Sequence, residues 1–377
     1  MKNLLIIAFS NLEKDPRVNR QIMYLRRFYH ITTVGWEPPR IEGVEFHPLK
    51  PIRRSRLNRI IRAVEYKLHR FEKIYWSLYD FQPLVEIVKQ KHFDLVIAND
   101  IETLPFALAV GRDAKRLLDA HDYTPRSFED VWTWRFFFQK FNRYLCGTYI
   151  KKCDRVITVS PGLAKEFKRE YGITCDVITN ASDYVELAPT PVDGEHIRLI
   201  HHGVANPNRQ LELMIEIMDY LDKRYRLDIM VISNFPRYYR RLQAMAAKRE
   251  NVAFRPPVAR EEIIPATNAY DLSFLIRKPT NVNFRYGLWN KFFESLQARL
   301  GIVTGPAPET QAEIVTEYGC GIVLDSFEPK RIAAQLNRLD AGQIREFKNK
   351  ADIAAREFTA QKNMEKLGEM IKEMIER

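Results

Sequence analysis

The run Ile197-Arg198-Leu199-Ile200-His201-His202-Gly203-Val204-Ala205-Asn206-Pro207-Asn208-Arg209 decides how this chain is built. A strand-like apolar stretch, 197–201, leads into a glycine, and a new apolar helical pattern opens at Leu211. Glycine lets the backbone approach a ligand closely, and a helix start presents N–H groups to a phosphate. Working outward, the same alternation recurs on both sides. Short apolar runs precede it at 4–9, 31–34, 95–98, 116–119, 156–159 and 177–179, and follow it at 227–232, 252–254, 272–275, 302–304 and 322–324. Amphipathic segments lie between them, as in 18–28, where Val18, Ile22, Leu25 and Phe28 repeat at helical spacing. Strands alternating with helices predict parallel sheets covered on both faces. Two such series predict an α/β chain of two tandem Rossmann-like domains.

The length of 377 residues agrees, because a single core stops growing well before that size. Residues 186–194 hold two prolines and a glycine without periodicity, which marks a linker. The expected division is 1–185, a linker at 186–195, a second domain at 196–353 and a helical segment at 354–377. In that last segment Leu367, Met370, Ile371 and Met374 form an apolar stripe expected to pack back toward the N-terminal domain. Apolar residues make up 46% and charged residues 28%, an ordinary globular mixture. No run approaches the length of a membrane span, and the apolar start at 4–9 is too short for a signal peptide. Cys146, Cys153, Cys175 and Cys320 lack metal-ligand spacing, and a reducing cytoplasm is the expected location. The net charge of +11 calls for an acidic partner: nucleic acid, anionic lipid or a phosphorylated substrate.

In open parallel sheets ligands gather at the C-terminal ends of strands, so the residues just after each strand carry the chemistry. Arg209 follows Gly203 with a rigid fork suited to a diphosphate; a plain strand-to-helix turn is the alternative. No G-x-G-x-x-G appears there or after the first strand, which argues against a dehydrogenase. In the run Asn290-Lys291-Phe292-Phe293-Glu294, Lys291 and Glu294 share one helical face, while Phe292, Phe293, Leu296 and Leu300 take the other. A cation near a helix start can neutralise a pyrophosphate, and a carboxylate can accept hydrogen bonds from ribose hydroxyls; a surface ion pair is the plainer reading. Asp119-Ala120-His121-Asp122 closes another strand. His121 can bond a sugar hydroxyl, and Asp122 is a candidate general base for an inverting reaction. In Asp15-Pro16-Arg17-Val18, Asp15 suits an N-cap and Pro16 the first helical position, which leaves Arg17 to meet an anionic acceptor or the diphosphate.

Taken in order over nearly the whole chain, these segments resemble the GT-B glycosyltransferases, specifically the large retaining family four. The matching segments are 15–18, 119–122, Val159-Ser160 with Tyr171-Gly172, 180–183, 203–209 and 290–294. The resemblance implies a C-terminal domain that holds a nucleoside-diphosphate sugar and an N-terminal domain that recognises a glycan or lipid-linked acceptor. It implies that Glu294 binds the donor ribose, that Arg209 and Lys291 compensate the leaving diphosphate, and that His121 contacts the donor sugar beside the reaction centre. Gly203 and Asn290 fall within the donor-binding segments, with Asp15, Arg17 and Asp122 on the acceptor side. Retention of anomeric configuration, and a place in bacterial polysaccharide or lipopolysaccharide assembly, are likewise inherited from the resemblance. Three positions depart from the pattern: Tyr286 stands where a second glutamate is usual, Val204 where an arginine follows the glycine, and Asn11-Leu12-Glu13 where paired glycines follow the first strand. Asn281, Asn283 and Tyr286 are candidates to replace the lost carboxylate's contacts with the sugar. No Asp-x-Asp pair occurs, so no metal is expected on the donor, and no cofactor beyond the nucleotide sugar. A sugar-nucleotide epimerase of the same architecture is the alternative enzyme. A basic nucleic-acid-binding protein is the alternative outside catalysis, though no nucleic-acid module is recognisable.

Two further stretches bear on partners. Residues 51–75 hold eight Lys or Arg against two Glu, with Leu57, Ile60, Ile61, Val64, Leu68 and Phe71 at helical spacing. This suits either a helix lying on an anionic membrane, at the inner face of the plasma membrane, or a helix packed on its own sheet. The aromatic run 131–144 is expected to serve as core or interdomain packing.

Overall fold

The computed structural model describes residues 1–50, 52 and 56–376, the side chains of 56–61 excepted. The chain forms two compact units. The first comprises Met1–Thr179, Thr280–Asn283 and Asn363–Arg377, and the second Asn180–Pro279 and Phe284–Lys362.

The first unit is built on a seven-stranded sheet of β1 (Asn3–Ala8), β2 (His30–Gly35), β3 (Glu45–Pro48), β4 (Leu95–Asn99), β5 (Lys115–Asp119), β6 (Arg155–Thr158) and β7 (Asp176–Val177). The spatial order is β3-β2-β1-β4-β5-β6-β7, and every pairing is parallel. Strand β3 was missed in the sequence because Glu45-Phe46-His47-Pro48 is a short, half-buried edge with no apolar run. On one face the helix Pro16–Leu25 packs Val18, Ile22 and Leu25 onto Leu4, Ile6 and Ile97. Phe28 lies beyond that helix and is exposed, contrary to the periodicity reading. On the other face Tyr75, Phe81 and Phe106 form a stack, with centroids 5.2 and 5.5 Å apart.

The second unit carries β8 (Ile197–Val204), β9 (Tyr225–Ile232), β10 (Val252–Phe254), β11 (Leu272–Leu275), β12 (Gly301–Thr304) and β13 (Gly321–Val323). These are ordered β10-β9-β8-β11-β12-β13, again all parallel. Leu211, Met214 and Ile215 cover one face, and Phe292, Phe293 and Leu296 cover the other together with Ala351, Ala354 and Ala355. The stretch expected as a linker belongs to this unit. Thr190 accepts a 2.8 Å bond from the buried Lys348 ammonium, which also donates to the Tyr270 carbonyl and lies 3.7 Å from Asp271.

The C-terminal residues form two helices, Ala341–Glu357 and Ala360–Glu376. Leu367, Met370, Ile371 and Met374 of the second join the core of the first unit beside Val18 and Ile22. No helix among the described residues is long and apolar enough to cross a membrane. Because Leu367 is fully buried, Leu367→Ala should lower unfolding free energy by about 2–5 kcal/mol in urea denaturation, against under about 0.5 kcal/mol for Ala at the exposed Glu365.

Candidate functional site

Both sheets reverse their winding direction once, between β1 and β4 in the first unit and between β8 and β11 in the second. Ligands of open α/β sheets bind at that switch point, outside the strand C-termini. Each unit places a polar cluster there.

In the second unit, β8 runs three residues further than its apolar pattern suggests, so Gly203 and Val204 are still paired with β9. Gly203 has φ +122°, a conformation side chains rarely adopt, and a Cβ there would fall 2.2 Å from Lys291 Cε. Glycine therefore makes the space in which the Lys291 side chain lies. Lys291 sits in the first turn of the helix Asn290–Gln297 and is half-buried. Among the described residues its ammonium has no hydrogen-bond or ion-pair partner. Burial, with the nearby Arg209 and Arg277 cations, draws its pKa down to about 7 against the opposing pull of Glu294. Such a cation gains most from a bound anion.

Glu294, one turn further along, accepts a 2.9 Å bond from Nε2 of the buried His202. Its surroundings raise its pKa by desolvation, but the His202 hydrogen bond, with the charges of Lys291 and Arg260, outweighs this and holds it below the usual carboxylate value. The carboxylate is thus fixed as an acceptor. His201, also buried, donates from Nδ1 to the Phe274 carbonyl at 2.8 Å and is kept neutral by burial and by the Lys291 charge. Neither histidine was singled out in the sequence, although the doublet stands at a strand end directly before Gly203. Arg209 is half-buried, and its guanidinium folds back to donate to the Val204 carbonyl at 3.3 Å. Burial lowers its pKa.

The helix after this turn offers less than expected. A short 3-10 turn, Pro207–Arg209, intervenes, and the Leu211 N–H at the start of Leu211–Ile217 is taken by the Tyr238 hydroxyl at 3.1 Å. Asn290 opens its helix exposed, without a capping bond at that end. Tyr286 is half-buried beneath the Arg285 guanidinium, which is paired with Glu309 at 2.6 Å.

In the first unit, His121 follows β5 and meets Asp100, which follows β4, at 3.0 Å. Asp100 has φ +66° and ψ 153°, strained for a residue with a side chain, and its N–H bonds the Asp119 carbonyl at 2.8 Å. Burial alone would lower the His121 pKa. The charge and hydrogen bond of Asp100, with Asp119 behind, raise it to about 10 against Arg17. Asp122 and Glu102 complete the group, and both keep an exposed flank. Desolvation by the surrounding chain, then repulsion from Asp100, raises both, Glu102 to about 7. Asp100 and Glu102 escaped the sequence reading, although Asn99-Asp100-Ile101-Glu102 directly follows a strand.

Three residues expected at the ligand hold protein partners. Arg17 is buried and grips Asp119 through Nε and Nη2 at 2.7 and 2.8 Å, while also donating to the Ile178 and Thr179 carbonyls. It supports the floor behind His121. Asp15 caps Arg17 N and Val18 N and accepts from Ser10 Oγ at 2.9 Å, which leaves its carboxylate committed to the helix start. Asn283 lies in the first unit, not in the second. There its Oδ1 accepts from the Tyr123 N–H at 2.7 Å and its Nδ2 donates to Ser127 Oγ at 3.2 Å. Asn281 Nδ2 reaches Asp130 at 3.4 Å. Among the described residues no three His, Cys, Asp or Glu side chains converge as a metal site.

Two parallel, doubly wound units with polar clusters at their switch points define the GT-B architecture, and solved structures bear this out. The chain superposes on a glycosyltransferase from Rickettsia africae ESF-5 with TM-score 0.70 and 13% identity, over 99% of this chain and 98% of that one. HepE of Anabaena, solved with UDP and glucose, gives 0.71 and 15% over 99% and 100%. WaaG, a glycosyltransferase of lipopolysaccharide biosynthesis, gives 0.68 and 14% over 98% and 99%. Residues 29–186 match the sequence model of Glycosyltransferase Family 4. The chain has the GT-B fold and resembles the glycosyltransferases of family four. No curated protein matches its sequence.

The raised His121 pKa means that its pairing with Asp100 stabilises the fold fully below the ordinary imidazole value of about 6.5, a contribution lost as pH rises through about 10. In NMR titration the His121 ring should stay protonated through neutral pH in the native protein. In Asp100→Asn it should titrate back toward about 6.5.

Proposed function

We propose that the chain transfers a glycosyl group from a nucleoside-diphosphate sugar to a glycan or lipid-linked acceptor, with the second unit holding the nucleotide and the first serving the acceptor side. The observation that carries this is the unpaired Lys291 ammonium seated on Gly203 at the switch point, beside Glu294 held in place by His202. A diphosphate supplies the anion that Lys291 lacks, with Arg209 near, and a ribose supplies hydroxyl donors for a fixed carboxylate. That HepE binds UDP and UDP-glucose supports a donor of this class. In the retaining course, the bond from the anomeric carbon to the phosphate oxygen breaks and one to the acceptor oxygen forms on the same face. The departing phosphate oxygen takes the acceptor's proton, and Lys291 and Arg209 stabilise the charge that builds there. His121, cationic through Asp100, serves the sugar hydroxyls. Asp122 is the base of the inverting alternative, and its raised pKa suits that role. Tyr286, in place of a carboxylate, leaves sugar selection to neutral contacts. Assembly of cell-surface polysaccharide or lipopolysaccharide from cytoplasmic nucleotide sugars is the setting such an acceptor implies. The reaction proceeds without a donor-bound metal.

Thermal-shift screening of UDP, GDP, ADP and CMP identifies the base, and calorimetry then tests the site. Glu294→Ala should weaken the preferred nucleotide by about 10–100-fold, the value of hydrogen bonds to a charged group. Unchanged affinity would reject the assignment.

Proton linkage gives a separate test. At about pH 8 the Lys291 amine is mostly neutral, and a bound diphosphate restores its charge. Binding should therefore take up part of a proton, seen as buffer-dependent heats, and affinity should fall as pH rises above about 7. Lys291→Ala should abolish that uptake.

A further inference from the structure

The aromatic run 131–144 does not disappear into the core as expected. Its inner part does: Phe141, Leu145 and Cys146 are buried in the helix Gln139–Tyr149. The helix before it, Trp132–Phe137, has no buried residue. Trp132 is 68% exposed and Phe136 56%, with Phe128 and Phe138 on either side also exposed. Beside them stands the end of the helix Arg56–Lys67, where Val64 and Leu68 are exposed as well. The two segments are joined, since the Tyr66 ring lies 5.4 Å from Phe138 and Lys67 Nζ lies 5.6 Å from the Phe136 centroid.

Single exposed apolar residues need no explanation, but six on two adjoining segments do. Their surroundings indicate what covers them. Lys67, Arg70, Arg135 and Lys140 are exposed around the patch, and Lys140 is held 3.3 Å from His69. Aromatic rings inside a rim where these cations outnumber the exposed Asp130 match the interface of a bilayer, with rings below the headgroups and amines at the phosphates. A second copy of this chain would instead bring the same cations against each other, which opposes self-association.

We infer that this surface docks the first unit on an anionic lipid bilayer. The rings of Trp132 and Phe136 insert, and Lys67, Arg70 and Arg135 hold the lipid phosphates. The contact is reversible and falls with salt, because the cationic part is screened over about 10 Å at 0.1 M. The experiment is co-sedimentation of the full chain with vesicles of phosphatidylcholine alone or containing about one-third phosphatidylglycerol. Binding is expected only to the anionic vesicles, reduced about tenfold or more by Trp132→Ala with Phe136→Ala, and by Lys67→Glu with Arg135→Glu. All four side chains are exposed, so circular dichroism and melting should match the parent protein, and the vesicle result then reports the surface alone. Absence of binding to anionic vesicles overturns the inference. So does binding that survives both double substitutions, or a dimer in light scattering that the Trp132/Phe136 pair abolishes. Either of the last two outcomes assigns the patch to another role.

Discussion

Parallel strand pairing is the constraint on which everything else rests. Every strand of each described sheet runs the same way, so all their C-terminal ends share one edge. Helices must then cover both faces, which forces apolar residues along the strands and leaves polar groups to the strand ends. Asp119, Asp100, His121 and Gly203 all stand at or just past a strand end. The local chemistry is a by-product of topology: that edge gathers polar side chains from strands far apart in sequence.

That constraint also explains what the sequence could and could not reveal. Apolar runs alternating with helical spacing are written in the chain itself, and nearly every strand was legible from them. Val252–Phe254 and Leu272–Leu275 even have the expected limits, while the polar edge strand Glu45–Pro48 left no such trace. Partners across the sheet are not written locally. Arg17 and Lys291 looked alike as cations near helix starts, yet one grips a carboxylate 102 residues away and the other has no hydrogen-bond or ion-pair partner among the described residues. His121 was readable as a polar group at a strand end, whereas Asp100, its partner from the neighbouring strand, was not. The aromatic run misled because ring content does not say which helix face meets the sheet. For the basic stretch, Pro51, residues 53–55 and the side chains of Leu57, Ile60 and Ile61 lie outside the described residues, so only its end could be followed.

The departures from the family pattern acquire a local logic. Val204 replaces an arginine, yet Arg209 bends back to the Val204 carbonyl and brings a guanidinium to the same strand end. His202 fixes Glu294 from the strand, so one carboxylate is rigidly held where the pattern usually supplies two. These arrangements keep a cationic and a fixed anionic group at one switch point by different residues.

Leu367, Met370, Ile371 and Met374 complete the core of the first unit, although they are made after the second unit. During synthesis most of that unit leaves the ribosome long before Leu367, Met370 and Ile371 exist to cover Val18 and Ile22. The apolar face of its first helix therefore waits, uncovered, while the whole second unit is translated. A nascent chain of this design has reason to need a chaperone on its N-terminal half until the helix carrying Leu367 emerges.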